Sequence, residues 1–471
     1  MTSTNMRQDL RLAFYGDDFT GSTDALEVLA FGGLRCALFL TVPTSEQMAT
    51  LGGFDAIGVA GASRAMSPEE MNKELPNVLS GLAALKPKIV HYKVCSTFDS
   101  APTVGNIGRV MELAQSAFPQ PVVPIVASTP ALGRYCLFGH LFARSGTDGK
   151  VYRIDRHPIM SVHPVTPMQE PDVAMHLGKQ AKLDIGNVPV TLLDSESPAD
   201  LAKFVYDMEP SHQAVVIDGL TPDHLTATGG CLLHMASRQG TPLFVVGSSG
   251  VEYALTQSWQ SEVVSTSASR YNSFDPVDQV LVVSGSASKL SAMQIDAALD
   301  AGFREVAIDV EALIIGSDAA VAESEARLVS EVITALASGH SVVMHTARGP
   351  SDQRVTRLIH ELQSRGAGLE QARHQSGRLV SERLGIVVDA IVRRHRLRRL
   401  VLSGGDTSSR ITQALGPDAL EIRARLSPGA PLCAVLSEKP HLSGLELALK
   451  GGQMGAPDYF VRALKGSAMV S

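Results

Sequence analysis

Apolar runs of five to seven residues alternate with amphipathic helical stretches almost from end to end of this chain. No other feature limits its fold as tightly. Residues 10–15, 36–42, 56–60, 88–93, 122–126, 188–193, 214–218 and 242–247 read as buried strands. Between them, residues 22–31, 68–85, 106–118, 172–182 and 199–208 carry the spacing of amphipathic helices. Strands that are apolar throughout, separated by helices, imply mostly parallel sheets covered on both faces.

Between residues 259 and 276 the pattern lapses into Ser, Thr, Val and Asn, and a domain boundary is expected there. A second alternating set follows, with strands at 279–283, 305–309, 341–346 and 399–402 and helices at 318–338 and 376–395. The expected architecture is α/β in two domains, residues 1–260 and 276–471, joined by a linker at 261–275. Each domain is a mostly parallel sheet flanked by helices. At 471 residues and 44% apolar content, the chain has enough material for two such cores.

Charge and cysteine content remove several classes of function. Forty-one Lys plus Arg against 48 Asp plus Glu leave a formal charge of −7. That balance argues against broad binding of nucleic acid or anionic membrane. The basic cluster Arg393, Arg394, Arg396, Arg398 and Arg399 reads as a solvated cap complementing a helix C-terminus. The five cysteines are scattered without a C-x-x-C pair, so neither a zinc knuckle nor a disulfide framework is indicated. No apolar run approaches the ~18 residues of a membrane span, and the N-terminus lacks a signal-like apolar segment. A soluble, cytoplasmic protein is expected.

Parallel sheets place ligands outside the carboxyl ends of their strands, so strand-to-helix turns carry the search for chemistry. The first turn, Gly16-Asp17-Asp18-Phe19-Thr20-Gly21-Ser22, sets two adjacent carboxylates at a strand end. Both cannot cap one helix, so Asp17 or Asp18 is available to a metal, a ligand hydroxyl or a proton transfer. After strand 56–60 comes Arg64, suited to bidentate carboxylate binding or to a structural ion pair. The third turn begins at Lys93 and continues through Ser96 and Asp99, and an ammonium there invites an anion.

In the second half, the turns Ser284-Gly285-Ser286-Ala287-Ser288 and Ser403-Gly404-Gly405-Asp406-Thr407 each open a helix with small, hydroxyl-rich residues. The loop Lys450-Gly451-Gly452 is similarly glycine-rich. Such turns cradle phosphates with backbone N–H groups, although neither the P-loop nor the dinucleotide pattern is present. His157, His163 and His176 fit no standard zinc spacing, and the prolines among residues 157–168 suggest a rigid extended segment.

The run from Gly16 to Asp24, the turn 403–407 and the loop 450–452 together resemble the four-carbon acid sugar kinases over nearly the whole chain. That resemblance implies an ATP-dependent, Mg²⁺-assisted kinase of a small sugar acid such as threonate, erythronate or 3-oxo-tetronate. The acid would sit in the N-terminal domain, the nucleotide in the C-terminal domain, and the active site in the cleft between them. Asp17, Asp18, Arg64, Lys93, Ser96 and Asp99 would form the substrate side, with Asp18 or Asp17 catalytic. Ser284, Ser286, Gly404, Gly405, Asp406, Thr407, Gly451 and Gly452 would bind nucleotide, and no metal ligand is assigned. The expected partners are the sugar acid and ATP, without nucleic acid or membrane; a homodimer stays open. Asp99 lies six residues after Lys93 where the threonate-kinase type spaces the pair by three, which admits a branched five-carbon acid such as 3-oxo-isoapionate. A nicotinamide-dependent dehydrogenase and a non-catalytic sugar-acid binder are the alternatives. The absent dinucleotide pattern weighs against the first, and the phosphate-type loops against the second.

Overall fold

Buried strands need partners on both edges and cover on both faces, and the chain meets that need twice. The computed structural model describes residues 10–146, 148–163, 165–259 and 271–467. The chain divides into two units, Met1–Ser267 and Ala268–Ser471. Of the expected linker, residues 261–270 lie outside the described residues. Its last part belongs to the second unit, where the Phe274 N–H donates to Ser467 Oγ and the Phe274 ring enters that unit's core.

In the first unit the strands are β1 (Leu12–Gly16), β2 (Cys36–Phe39), β3 (Ala56–Ala60), β4 (Ile89–Lys93), β5 (Val123–Val126), β9 (Ile185–Val188), β10 (Ala214–Ile217) and β11 (Leu243–Gly247). They pair in parallel in the order β2-β3-β1-β4-β11-β5-β10-β9. From β1 the chain winds towards β3 and β2; from β4 it winds the other way. The order therefore reverses between β1 and β4, and a crevice opens outside their carboxyl ends.

Three local readings of this unit are corrected. Residues 190–193 form a short helix, not a strand; the strand ends at Val188, because Pro189 has no N–H to continue a ladder. A three-stranded antiparallel sheet, β6 (Arg134–Leu137), β7 (His140–Arg144) and β8 (Val151–Arg153), was not foreseen. Its first turn places Phe138 and Gly139 at φ 49° and 76°, the conformation of a tight hairpin. Buried Asp218 accepts N–H bonds from Phe138, Gly139 and Val190, which fastens the hairpin to the parallel sheet. Residues 154–163 are not one extended run. They form two single-turn helices, Ile154–Arg156 and Met160–Val162, closed on themselves by the Met168 N–H to Met160 O bond.

The second unit contains β12 (Leu281–Ser284), β13 (Arg304–Ala307), β14 (Val342–His345), β15 (Arg399–Ser403), β16 (Ala419–Ser427), β17 (Ala430–Leu436) and β18 (Glu446–Lys450). Their order is β13-β14-β12-β15-β18-β17-β16, parallel as far as β18 and antiparallel beyond it. The direction of winding reverses between β12 and β15, which creates a second crevice of the same kind. Arg399 does not belong to a solvated cap. It is fully buried, paired with Glu446, and lies over the Phe274 ring. Arg393, by contrast, pairs with Asp389 at the exposed end of the helix Leu369–Arg394, as a cap requires.

Candidate active site

The strand β1 delivers Asp17 and Asp18 to the first crevice, and the next backbone link fixes them there: the Asp17 N–H donates to Lys93 O at 2.9 Å. The following helix begins at Phe19, three residues earlier than its sequence suggests, because Asp18 is its N-cap. Asp18 Oδ1 accepts the Gly21 N–H at 2.7 Å. Asp17 and Asp18 thus divide the work. Asp17 is buried and takes both Nε and Nη2 of Arg64 on its two oxygens, at 3.0 and 2.7 Å. Asp18 takes Arg64 Nη1 at 2.7 Å on its second oxygen and stays 30% exposed. Burial pushes the Asp17 carboxyl up, to about 6, against the pull of Arg64. The Arg64 guanidinium is committed to these two carboxylates.

Gly21 is required by this arrangement. A Cβ there would stand 2.6 Å from Asp18 Oδ1 and 3.1 Å from Lys93 Nζ. Lys93 is also buried, and donates from Nζ to Val94 O at 3.0 Å. Asp17 and Asp24 both lie within reach of its charge, and burial raises the Asp24 carboxyl as well. After Lys93 the chain turns sharply, with buried Phe98 held at φ 54°. A bulky residue in the left-handed region stores strain, which clusters at functional sites. In that turn Thr97 Oγ1 donates to Asp99 Oδ1, and the Cys95 thiol packs on Thr97. Ser96 is partly exposed at the tip. Behind the turn, Ser100 bonds His176 Nε2 at 2.9 Å, and burial lowers that imidazole to about 4, so it is neutral.

In the second unit the three glycine-rich turns meet. A Cβ on Gly285 would overlap Thr407 Oγ1 at 1.9 Å, and one on Gly452 would meet Ser286 Oγ at 2.4 Å. Gly404 has φ 118°, which a side chain rarely adopts. It precedes the helix Gly405–Leu415, whose first turn carries no side-chain cap. Open N–H groups at a helix start are an anion site when other features converge on them. Here they meet a cavity of about 300 Å³ lined by Gly285, Ser286, Gly404, Asp406, Thr407 and Gly452 together with the aliphatic Val310, Val355, Leu358 and Val380. A polar glycine lining combined with an aliphatic one suits a phosphate chain ending in a flat base.

One rung of the sheet runs beneath these loops. Ser284, Ser403 and Lys450 are direct neighbours on β12, β15 and β18, so their side chains share a face. Lys450 Nζ donates to Ser403 Oγ at 2.8 Å, and Ser284 Oγ is buried without a partner. No carboxylate pairs with Lys450 among the described residues, and burial alone lowers its ammonium to about 8. Gly451 lies beside this residue, partly exposed.

The structure therefore brings Asp17, Asp18, Arg64, Lys93, Ser96 and Asp99 to one crevice. Ser284, Ser286, Gly404, Gly405, Asp406, Thr407, Gly451 and Gly452 gather at the other. Sequence reasoning quoted Lys450 and Asp24 within their motifs but gave neither a role. Lys450 ends an apolar strand as Lys93 does, and that signal could have found it. The aliphatic wall of the cavity had no such signal, since its residues come from separate helices.

Two family models match the chain: a sugar-binding N-terminal domain over residues 12–255 and a nucleotide-binding C-terminal domain over residues 281–460. The chain is 40% identical over 452 residues to a 3-oxo-isoapionate kinase of Paraburkholderia graminis, covering 96% of this chain and 93% of that protein. It is 29% identical to a 3-oxo-tetronate kinase of Cupriavidus necator, covering 99% of each. A solved Salmonella typhimurium protein, whose name proposes a tRNA synthase, superposes with a TM-score of 0.76 at 25% identity over 97% of this chain and 98% of that one.

Proposed function

The chain belongs to the four-carbon acid sugar kinase family, and we propose that this ATP-dependent sugar-acid kinase acts on a branched five-carbon oxo-acid of the 3-oxo-isoapionate kind. The observation that carries the choice of acid is the 40% identity to a 3-oxo-isoapionate kinase, against 29% to a 3-oxo-tetronate kinase, both over nearly the whole chain. The longer interval between Lys93 and Asp99 agrees with it.

Phosphoryl transfer needs alignment and charge neutralisation more than covalent chemistry. In the first unit Asp18 is the carboxylate that a substrate hydroxyl can reach. Its Gly21 and Arg64 contacts hold it in place and leave lone pairs for the proton. Asp17 is buried and positions Arg64. In the second unit the three turns and the open N-terminus of Gly405–Leu415 receive the phosphates, and Lys450 supplies positive charge behind them. The aliphatic wall takes the base.

The expected Mg²⁺ was assigned no ligand, and among the described residues no group of three or more His, Cys, Asp or Glu is placed to hold a metal ion. Magnesium is commonly held by substrate phosphates, waters and one or two carboxylates. Asp406 fits that role, being an exposed carboxylate on the cavity wall without a hydrogen bond or ion pair among the described residues. When bound, the ion neutralises phosphate charge. Among the described residues no helix is long and apolar enough to cross a membrane.

A coupled ADP-release screen of four- and five-carbon sugar acids with Mg-ATP tests the reading. 3-oxo-isoapionate should give the highest kcat/KM. NAD(P)⁺ reduction without ADP release would overturn it.

A further inference from the structure

A kinase of sugar acids must recognise a carboxylate, yet both cations expected to do so are already engaged. Arg64 presents its Nε/Nη2 edge to Asp17, and Lys93 sits among Asp17 and Asp24. An added anion would meet the carboxylates there as well as the cations. Recognition therefore has to come from a guanidinium or ammonium whose own pairing edge is open.

Arg134 has that edge. It starts β6, the first strand of the antiparallel sheet, directly after Gly133, whose φ of 68° reverses the chain. Its backbone pairs with Thr129, where the chain leaves β5. Thr129 Oγ1 bonds Ser248 Oγ at 2.6 Å, just beyond β11. The Val94 N–H donates to Gly247 O, so β4 and the Lys93 turn follow next in line. Arg134 thereby stands over the same crevice as the substrate turn, with the Cys95 thiol in range of its charge; Arg64 acts on the same thiol.

The hydrogen bonds of this guanidinium are one-sided. Nη1 donates to three backbone oxygens, of Leu132, Gly133 and Arg144, at 3.0, 3.4 and 3.1 Å. Nε is shielded from solvent and has no partner, and Nη2 has no hydrogen bond among the described residues. The Nε/Nη2 edge is the one Arg64 uses for Asp17, and it matches the two oxygens of a carboxylate. Leaving a buried charged donor unsatisfied costs on the order of 1–3 kcal/mol, so an occupant is expected there. His157 lies within range of the Arg134 charge. Its Nδ1 accepts the N–H groups of Ile159 and Met160, which leaves the proton on Nε2, and the ring also meets the Arg144 backbone, whose carbonyl takes Arg134 Nη1. The compact segment around the turns 154–156 and 160–162, whose role the sequence left open, thus keeps His157 within range of the Arg134 charge.

We propose that Arg134 binds the carboxylate of the sugar acid through its Nε/Nη2 edge, with His157 beside it, and that Arg64 instead positions the two aspartates. The inference rests on the sugar-acid kinase reading and adds the residue that makes acidity a requirement. The experiment compares 3-oxo-isoapionate with its primary amide, which keeps the shape and removes the charge, in ADP release and in calorimetric binding. Wild-type protein should prefer the acid. Arg134→Gln should raise KM for the acid about 10²–10³-fold, the scale for removing one partner of a buried charge pair, with kcat little changed. Its KM for the amide should stay within threefold of wild type, and Arg134→Lys should recover part of the preference. Thermal unfolding of both variants controls for folding. Equal losses for acid and amide, or a preference for the acid that survives in Arg134→Gln, would overturn the proposal. Wild-type protein that phosphorylates and binds neither compound nor any four-carbon acid would instead overturn the kinase reading itself.

Discussion

Gly21→Ala separates the demands of the fold from those of the site. The glycine lies in the first turn of the helix Phe19–Phe31, at negative φ, where alanine is the better helix former by ~1 kcal/mol. The added Cβ would sit 2.6 Å from Asp18 Oδ1, so that oxygen must retreat by roughly 0.8 Å to reach ordinary contact. Retreat weakens the Gly21 N–H to Asp18 cap, worth ~1 kcal/mol. The two terms nearly cancel, and the melting temperature should shift by no more than about 2–4 °C. Activity has no such compensation. The same Cβ is 3.1 Å from Lys93 Nζ and 3.8 Å from Arg64 Nη2, so the carboxylate and both cations are crowded at once. A displacement of about 1 Å at a reacting group can cost ~10²-fold, and kcat/KM for ADP release should fall by about that factor. Calorimetric unfolding beside a coupled ADP assay gives both readings. A folded Gly21→Ala protein with kcat/KM within threefold of wild type would refute the assignment of this crevice to the reacting hydroxyl.

Asp18→Asn should lower kcat about 10²–10⁴-fold with little change in KM, the scale for losing a general base, read by single-turnover ADP release. For Asp17, raised to about 6, the ionised form is needed to hold Arg64, so kcat/KM should fall as pH drops through about 6. Asp17→Asn should abolish that acid limb; an unchanged limb would place the titrating group elsewhere. Lys450, lowered to about 8 by burial, carries its charge only below that pH. ADP affinity should therefore weaken as pH rises past 8, and Lys450→Met should bind weakly at all pH values in isothermal titration.

Much of this was legible in the sequence because a parallel strand is apolar on both faces, so a charged residue at its end stands out. Asp17, Lys93 and the hydroxyl-rich turns all stood out in that way. The antiparallel additions were harder. Residues 420–426 do alternate, with Ile422, Ala424 and Leu426 buried between exposed Arg423 and Arg425, but an alternating segment is less conspicuous than the uninterrupted apolar runs around it. The sheet β6-β7-β8 has no uniform alternation and depends on Asp218, a contact from 80 residues away along the chain. The pairing of Arg64 with both aspartates was equally hidden, since sequence separates them by 47 and 46 residues. Arg134 lies in a segment that carried neither a strand nor a motif signal, and only its hydrogen-bond map distinguishes it.

The two units solve one problem twice and treat its charge in opposite ways. Each sheet reverses its winding direction, and in each a strand ends on a buried lysine, Lys93 in one and Lys450 in the other. Around Lys93 and Arg64 stand Asp17, Asp18, Asp24 and Asp99, so full ionisation would leave excess negative charge where an anionic substrate must enter. Burial works against that excess by raising the Asp17 and Asp24 carboxyls. Around Lys450 no carboxylate pairs among the described residues, and the acidic side chain on the cavity wall, Asp406, is exposed. A sugar acid carries one charge and a nucleotide several. The first crevice therefore needs near-neutrality with one directed contact, which Arg134 can supply, whereas the second can leave its buried lysine unpaired because its ligand brings the negative charge. Raising salt should accordingly weaken ADP binding more than sugar-acid binding, because a directed, buried pair is screened less than a field of several charges.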